Sequence, residues 1–175
     1  IGGRTAHAKT AWTVDLALRL AGRGIAVDFV TLEDPAVGIV RRAVANLSGI
    51  PTRLLKDGSV SEESFRVAEQ SVRTLQALPL TVIDVEHLRS LNEEAVLGVV
   101  SASEAQVVIV DHLQQIATQD ERRHYGLERV LHALHAFALR DRKAVIITAQ
   151  LNRETEARRE APRLSDLRDT GAAEQ

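Results

Sequence analysis

Along residues 11–148, short apolar runs alternate with segments whose apolar positions recur every three or four residues. Trp12, Leu16 and Leu20 share one face of a helix predicted over residues 11–20, closed by Gly22 and Gly24. Residues 25–32 form a run of Ile, Val and Phe that predicts a buried strand ending at Glu33-Asp34-Pro35, and Pro35 suits the first turn of a helix reaching about residue 48. Ser61-Glu62-Glu63-Ser64 supplies a cap and early negative charge for a helix over about 61–77. A strand at 80–83, a helix at 92–102, a strand at 107–110, a helix at 125–139 and a strand at 144–148 complete the predicted order.

Strands that are apolar on both faces and separated by helices of ten or more residues predict an α/β domain, a mostly parallel sheet with helices on both faces. In such sheets the ligand sits beyond the carboxyl ends of the strands. The residues there are Glu33, Asp84, Asp111 and Gln150, and their joint occurrence predicts a site.

Composition narrows the chemistry. The 175 residues include 22 Lys+Arg, 24 Asp+Glu and no Cys, so thiol catalysis and cysteine-based zinc sites are excluded. A chain of this length buries about 70% of its unfolded surface and needs no staple. No apolar run approaches the length of a membrane span and no signal-peptide pattern opens the chain, so a soluble protein with no membrane partner is expected, and the lack of Cys is compatible with a reducing cytoplasm. A net charge of -2 gives no bulk attraction for nucleic acid. One Trp, one Tyr and three Phe are too few for base-stacking platforms, so any grip on a single strand falls to backbone contacts. The absence of Met, with Ile at position 1, predicts a fragment of a longer chain. No repeat or linker divides it, and residues 1–175 are expected to form one partial domain.

The segment Gly3-Arg4-Thr5-Ala6-His7-Ala8-Lys9-Thr10 follows the phosphate-loop pattern G-x-x-x-x-G-K-[ST], with Ala8 in place of the second Gly. Its backbone N–H groups and the following helix N-terminus suit phosphates, Lys9 suits the terminal phosphates and Thr10 suits Mg²⁺. The bland reading is a polar turn that caps the helix. Where a Gly serves positive φ, a Cβ costs about 1 kcal/mol or more. Either nucleotide affinity falls or the loop adjusts and still binds. Asp111 ends the run Val107-Val108-Ile109-Val110 and is the candidate Mg²⁺-organising acid. Glu33 is positioned to orient and deprotonate a water, or else to cap a helix with Asp34. Gln150 is a candidate sensor of a terminal phosphate, or a loop hydrogen bonder. His132 and His135 share a helix face without further ligands, and a surface pair is expected rather than zinc. The arginine-rich stretch 153–168 is interleaved with acids and reads as a solvated loop, although it leaves a strand end beside the candidate site.

The order of these motifs resembles the C-terminal motor domain of bacterial replicative helicases, the DnaB-like family with a RecA-type fold. The resemblance rests on Ile1-Gly2-Gly3-Arg4 leading into Lys9-Thr10, Thr31-Leu32-Glu33-Asp34-Pro35, Ile109-Val110-Asp111-His112-Leu113-Gln114, Gln150-Leu151-Asn152-Arg153 and the segment 162–175. It implies a ring-shaped homo-hexamer that hydrolyses ATP with Mg²⁺ at subunit interfaces and moves 5′ to 3′ on single-stranded DNA to unwind duplex. By position it implies Glu33, Lys9 and Gln150 as catalytic residues, and Gly3, Arg4, Ala6, Ala8, Lys9, Thr10, Ala11 and Arg42 as nucleotide contacts. Thr10 and Asp111 would hold Mg²⁺, and Arg168, Asp169 and Gly171 would hold the DNA backbone. Primase and a helicase loader are implied as partners through regions absent here, as is an arginine finger outside the chain.

The family pattern has Gly at 8, Met at 34 and Tyr at 112, where this chain has Ala8, Asp34 and His112. It also implies that the chain starts just after the strand preceding the phosphate loop. An isolated piece of this kind is expected to show little or no ATPase. A non-catalytic RecA-fold binding module, with the loop disabled by Ala8, is the alternative; a recombinase or clock-type ATPase is disfavoured by the segment 165–175.

Overall fold

The computed structural model describes residues 1–3, 8–88, 90–118 and 123–151. In chain order the elements are β1 (Gly2–Gly3), α1 (Lys9–Ala21), β2 (Val27–Thr31), α2 (Ala36–Ser48), α3 (Thr52–Asp57), α4 (Glu62–Gln76), β3 (Leu80–Ile83) and α5 (Val85–Leu88). They continue as α6 (Glu93–Ala102), β4 (Val107–Asp111), a 3-10 turn (Leu113–Gln115), α7 (Arg123–Asp141), β5 (Ala144–Ile147) and β6 (Ala149–Gln150).

Four strands form a fully parallel sheet in the order β3-β2-β4-β5. Its strands carry alternating apolar side chains that are buried in both directions. Val27, Phe29, Val107 and Ile109 pack under Val14, Ala17 and Leu18 of α1 and Ile39 and Ala43 of α2. Val30, Val108 and Val110 point the other way, into Val96 and Val100 of α6 and Leu127, Val130 and Leu134 of α7. Both faces are therefore covered by helices, as expected for parallel strands.

The α1 helix is present, but its buried face is Val14, Ala17, Leu18 and Ala21 with Thr13, while Trp12 is 52% exposed. Small alanines let the helix lie close on the sheet, and the bulky indole turns outward. The cap at Ser61 falls where the sequence puts it, accepting from Ser64 N at 3.2 Å, and the structure adds a second at Asn92, which accepts from Ala95 N at 2.9 Å.

The strand before the loop is represented within the chain. Gly2 and Gly3 pair in parallel with Ala149 and Gln150, and Leu151 N donates to Gly3 O at 3.2 Å. Beyond β2 the chain first adds β3 on one side, then crosses back to place β4 on the other, so the switch point lies between β2 and β4. Thr31 and Asp111 are register partners at that point.

Candidate functional site

A cleft of about 380 Å³ opens at the carboxyl end of β2 and β4. The N-terminus of α1 brings Ala8, Lys9, Thr10 and Ala11 to it; the turn after β2 brings Glu33 and Asp34; α2 brings Arg42; β4 brings Asp111 and His112; and β6 brings Gln150. The positions at which the chain departs from the family pattern, Ala8, Asp34 and His112, all line this one cavity.

Ala8 precedes α1 with φ 56° and ψ 25°, the left-handed conformation that glycine adopts most readily. Among the described residues no side chain caps α1, and its first turn carries no acid, so an anion would meet the positive end of the helix dipole there. Lys9 folds back and donates from Nζ to Gly3 O at 2.9 Å. A Cβ at Gly3 would lie 2.8 Å from Lys9 Cγ, so the missing side chain at position 3 is what lets the lysine pass. Burial lowers the Lys9 pKa, while the charges of Asp111 and Glu33 oppose the shift.

The turn after β2 is tied to its neighbours from both sides. Leu32 N donates to Asp111 O at 2.7 Å, and Thr31 Oγ1 donates to Asp34 O at 2.7 Å. Asp111 is buried and accepts a hydrogen bond from Thr148 Oγ1. Arg42 Nη2 meets Asp34 Oδ2 at 2.7 Å, and Arg42 Nε is buried without a hydrogen-bond partner among the described residues. His112 Nδ1 lies 3.1 Å from Glu33 Oε2. Burial pushes the His112 pKa down, against the pull of Glu33 and Asp111. Gln114 Oε1 accepts from Gln150 N at 2.9 Å, which holds β6 against the 3-10 turn.

Of the strand-end residues, Glu33, Asp111 and Gln150 meet in the cleft, while Asp84 does not line it. Asp84 is buried, accepts from Ala36 N at 2.8 Å and from His87 Nδ1 at 2.7 Å, and so closes the N-terminus of α2. Its pKa is lowered, first by the Ala36 N–H and then by His87. Gly3 abuts the cleft through Lys9. The proposed contacts Arg4, Ala6, Arg168, Asp169 and Gly171 lie outside the described residues. His112, Asp34, Thr148 and Gln114 join the site although the motif pattern did not assign them roles. His112 and Gln114 stood next to or near Asp111 in sequence, the one signal available. His132 and His135 are exposed, and among the described residues no group of three or more His, Cys, Asp or Glu could hold a metal ion.

The donor set nonetheless suits a Mg-polyphosphate. Two cations, an uncapped helix end and the orphaned Arg42 Nε favour phosphate oxygens, while the hard oxygens of Thr10 and Asp111 suit Mg²⁺.

A parallel sheet covered by helices on both faces, with Lys9 at the start of α1 and Asp111 at the end of β4 meeting at its switch point, defines an α/β domain with a site at the carboxyl ends of its strands. The chain belongs to the DnaB-like helicase C-terminal domain family, whose model matches residues 1–175. It is 32% identical over 179 residues to a probable plasmid replicative DNA helicase of Chlamydia trachomatis serovar L2, covering 100% of this chain and 40% of that protein. It is 27% identical over 179 residues to the replicative DNA helicase DnaB of Treponema pallidum, again covering 100% and 40%. The chain thus spans about 40% of the length of these relatives. A solved DnaB-like replicative helicase, described with its interactions with primase, superposes with a TM-score of 0.86 at 20% identity, covering 99% of this chain and 43% of that one. A second solved structure, described as an ATPase domain, superposes with a TM-score of 0.86 at 19% identity, covering 99% of this chain and 64% of that one. Among the described residues no helix is long and apolar enough to cross a membrane.

Proposed function

We propose that this chain is the motor segment of a replicative DNA helicase, binding Mg-ATP in the cleft and hydrolysing it to drive 5′ to 3′ movement on single-stranded DNA. The observation that carries the reading is the convergence of Lys9, Thr10, Glu33, Asp111 and Gln150 on one cavity from separate elements. Phosphoryl transfer needs little covalent chemistry from the protein; it needs positioning and charge. Lys9 and the α1 N-terminus would hold the terminal phosphates, with the further contacts coming from Gly3, Arg4, Ala6, Ala8, Ala11 and Arg42. Thr10 and Asp111 would hold Mg²⁺, which supplies charge neutralisation when bound. Glu33 takes the proton of the attacking water, and Gln150 contacts the γ-phosphate.

Arg168, Asp169 and Gly171 would hold the DNA backbone. In this reading the working form is a homo-hexamer in the cytoplasm, with primase and a loader as partners through the rest of the protein. The isolated chain is expected to turn over little ATP, because groups from a neighbouring subunit are missing. Steady-state ATPase and forked-duplex unwinding by the full-length protein test the reading, with Lys9→Ala expected to reduce turnover by about a hundredfold or more. Undiminished turnover in that variant contradicts it.

The alternative, a non-catalytic binding module, draws on Ala8. Its backbone nevertheless occupies the left-handed region despite its Cβ. Alanine at this position therefore carries a strain of about 1–2 kcal/mol and still takes the backbone angles that a glycine would adopt there, which favours the motor reading.

A further inference from the structure

We propose that His112 is the positioning residue for Glu33: its Nδ1–H grips Oε2 of the carboxylate and leaves Oε1 for the attacking water. This deepens the motor reading and rests on the assignment of Glu33 as the base.

The two side chains differ sharply in freedom. Glu33 leaves the turn after β2 with its side chain 58% exposed, whereas the His112 ring is 3% exposed. A half-open glutamate samples several rotamers, and orientation must be imposed on it before it can act on one particular water. His112 is built to impose it. Its neighbour Asp111 is a register partner of Thr31, and Asp111 O accepts from Leu32 N at 2.7 Å. On its other side Leu113 N donates to Thr148 O at 3.0 Å, and Gln115 N donates to His112 O at 3.1 Å. The ring is thus fixed to the centre of the sheet by its backbone on both flanks.

Nδ1 and Oε2 lie 3.1 Å apart, within hydrogen-bond reach, and for the ring to donate to a carboxylate oxygen Nδ1 must carry its hydrogen. One oxygen of the carboxylate is taken by this bond, and the remaining lone pairs stay available to water. Lys9 and Glu33 line the same cleft.

Steady-state ATPase of the full-length protein tests the assignment with His112→Leu, His112→Asn and each change in a Glu33→Ala background. His112→Leu should lower kcat roughly tenfold to a hundredfold with KM little changed, as expected for a misplaced catalytic group. His112→Asn, whose amide N–H replaces Nδ1–H, should restore most of that loss. In Glu33→Ala the residual rate should no longer depend on position 112. An unchanged or raised kcat in His112→Leu, no rescue by Asn in a folded variant, or an equal loss without Glu33 overturns the proposal.

Ring ¹⁵N spectra of this chain supply a readout free of turnover. The Nδ1-protonated form is expected, perturbed by Glu33→Ala; an Nε2-protonated ring indifferent to Glu33 overturns the pairing. If the wild type folds, shows this pairing and hydrolyses no ATP as the full-length protein, it is the motor reading that fails.

Discussion

Arg42 on α2 and Asp34 in the turn after β2 form an ion pair of 2.7 Å inside the cleft that also holds Lys9 and Asp111. The side chains are 40% and 34% exposed, so solvent screens the pair and its strength is modest, about 1 kcal/mol or less. Its consequence is directional. Asp34 occupies a donor of the guanidinium that would otherwise be offered to a phosphate, and Nε is left buried and empty.

Asp34→Asn should therefore tighten Mg-ATP binding by a few-fold, equivalent to about 0.5–1 kcal/mol. Arg42→Ala should weaken it. In the double variant the gain from Asp34→Asn should disappear, because the carboxylate acts through the arginine. Calorimetric titration of the four proteins checks this; a gain that persists without Arg42 would mean general repulsion by Asp34 instead.

Ala8→Gly removes a Cβ from a residue with φ 56°. Relief of left-handed strain amounts to about 1 kcal/mol, part of which is offset by the greater freedom of Gly in the unfolded chain. Mg-ATP affinity should rise by no more than about tenfold, since about 1.4 kcal/mol is a factor of ten. Trp12 is the one tryptophan and lies two residues beyond Thr10, so its fluorescence can follow the titration. A change from no binding to tight binding would instead favour the disabled-module alternative.

Asp84 predicts an acid-dependent stability. Its folded pKa lies below its ordinary value, so the stabilisation is present above about pH 4, the unfolded value, and is lost as pH falls through the folded one. Asp84→Ala should cost about 1 kcal/mol at pH 7 by opening the N-terminus of α2. The gap between variant and wild type in urea melts should narrow below about pH 4.

Two glycines within helices predict opposite signs. Nothing lies within 4 Å of a Cβ built on Gly98 in α6, so Gly98→Ala should stabilise by about 0.5–1 kcal/mol through helix propensity. A Cβ on Gly126 in α7 would collide with the Thr118 side chain. Gly126→Ala should destabilise by about 1–3 kcal/mol as the segments are forced apart. Thermal melts decide both.

The strands were legible as short apolar runs: β4, central and buried throughout, gains only Asp111, β2 falls inside the predicted 25–32, and the edge strand β3 is predicted at its observed limits. The helix α4 was legible from its cap, Ser61, and α6 from its apolar run, with Asn92 at its start proving to be the cap. What escaped was short or non-local. The helix α3 has six residues bracketed by Pro51 and Gly58, too few for a periodic signal, and α5 has four. The pairing of Gly2–Gly3 with Ala149–Gln150 joins distant segments that no local pattern connects. Lys9 and Thr10 were singled out by a spaced motif and Glu33, Asp111 and Gln150 by their places at strand ends, and the structure brings all five to one cleft. Asp84 was misgrouped with them, since a strand-end carboxylate looks the same in sequence whether it faces a ligand or a helix terminus. The bonds from His112 to Glu33 and from Gln114 to Gln150 depend on which strands are neighbours, which spacing does not reveal.

Calorimetric titration of this chain with Mg-ATP, beside Lys9→Ala, tests the central claim most directly, with circular dichroism establishing that both proteins are folded. The account predicts binding by the wild type that is lost in Lys9→Ala. Binding that survives the loss of Lys9, or no binding by the folded wild type, would contradict the assignment of this cleft as a nucleotide site.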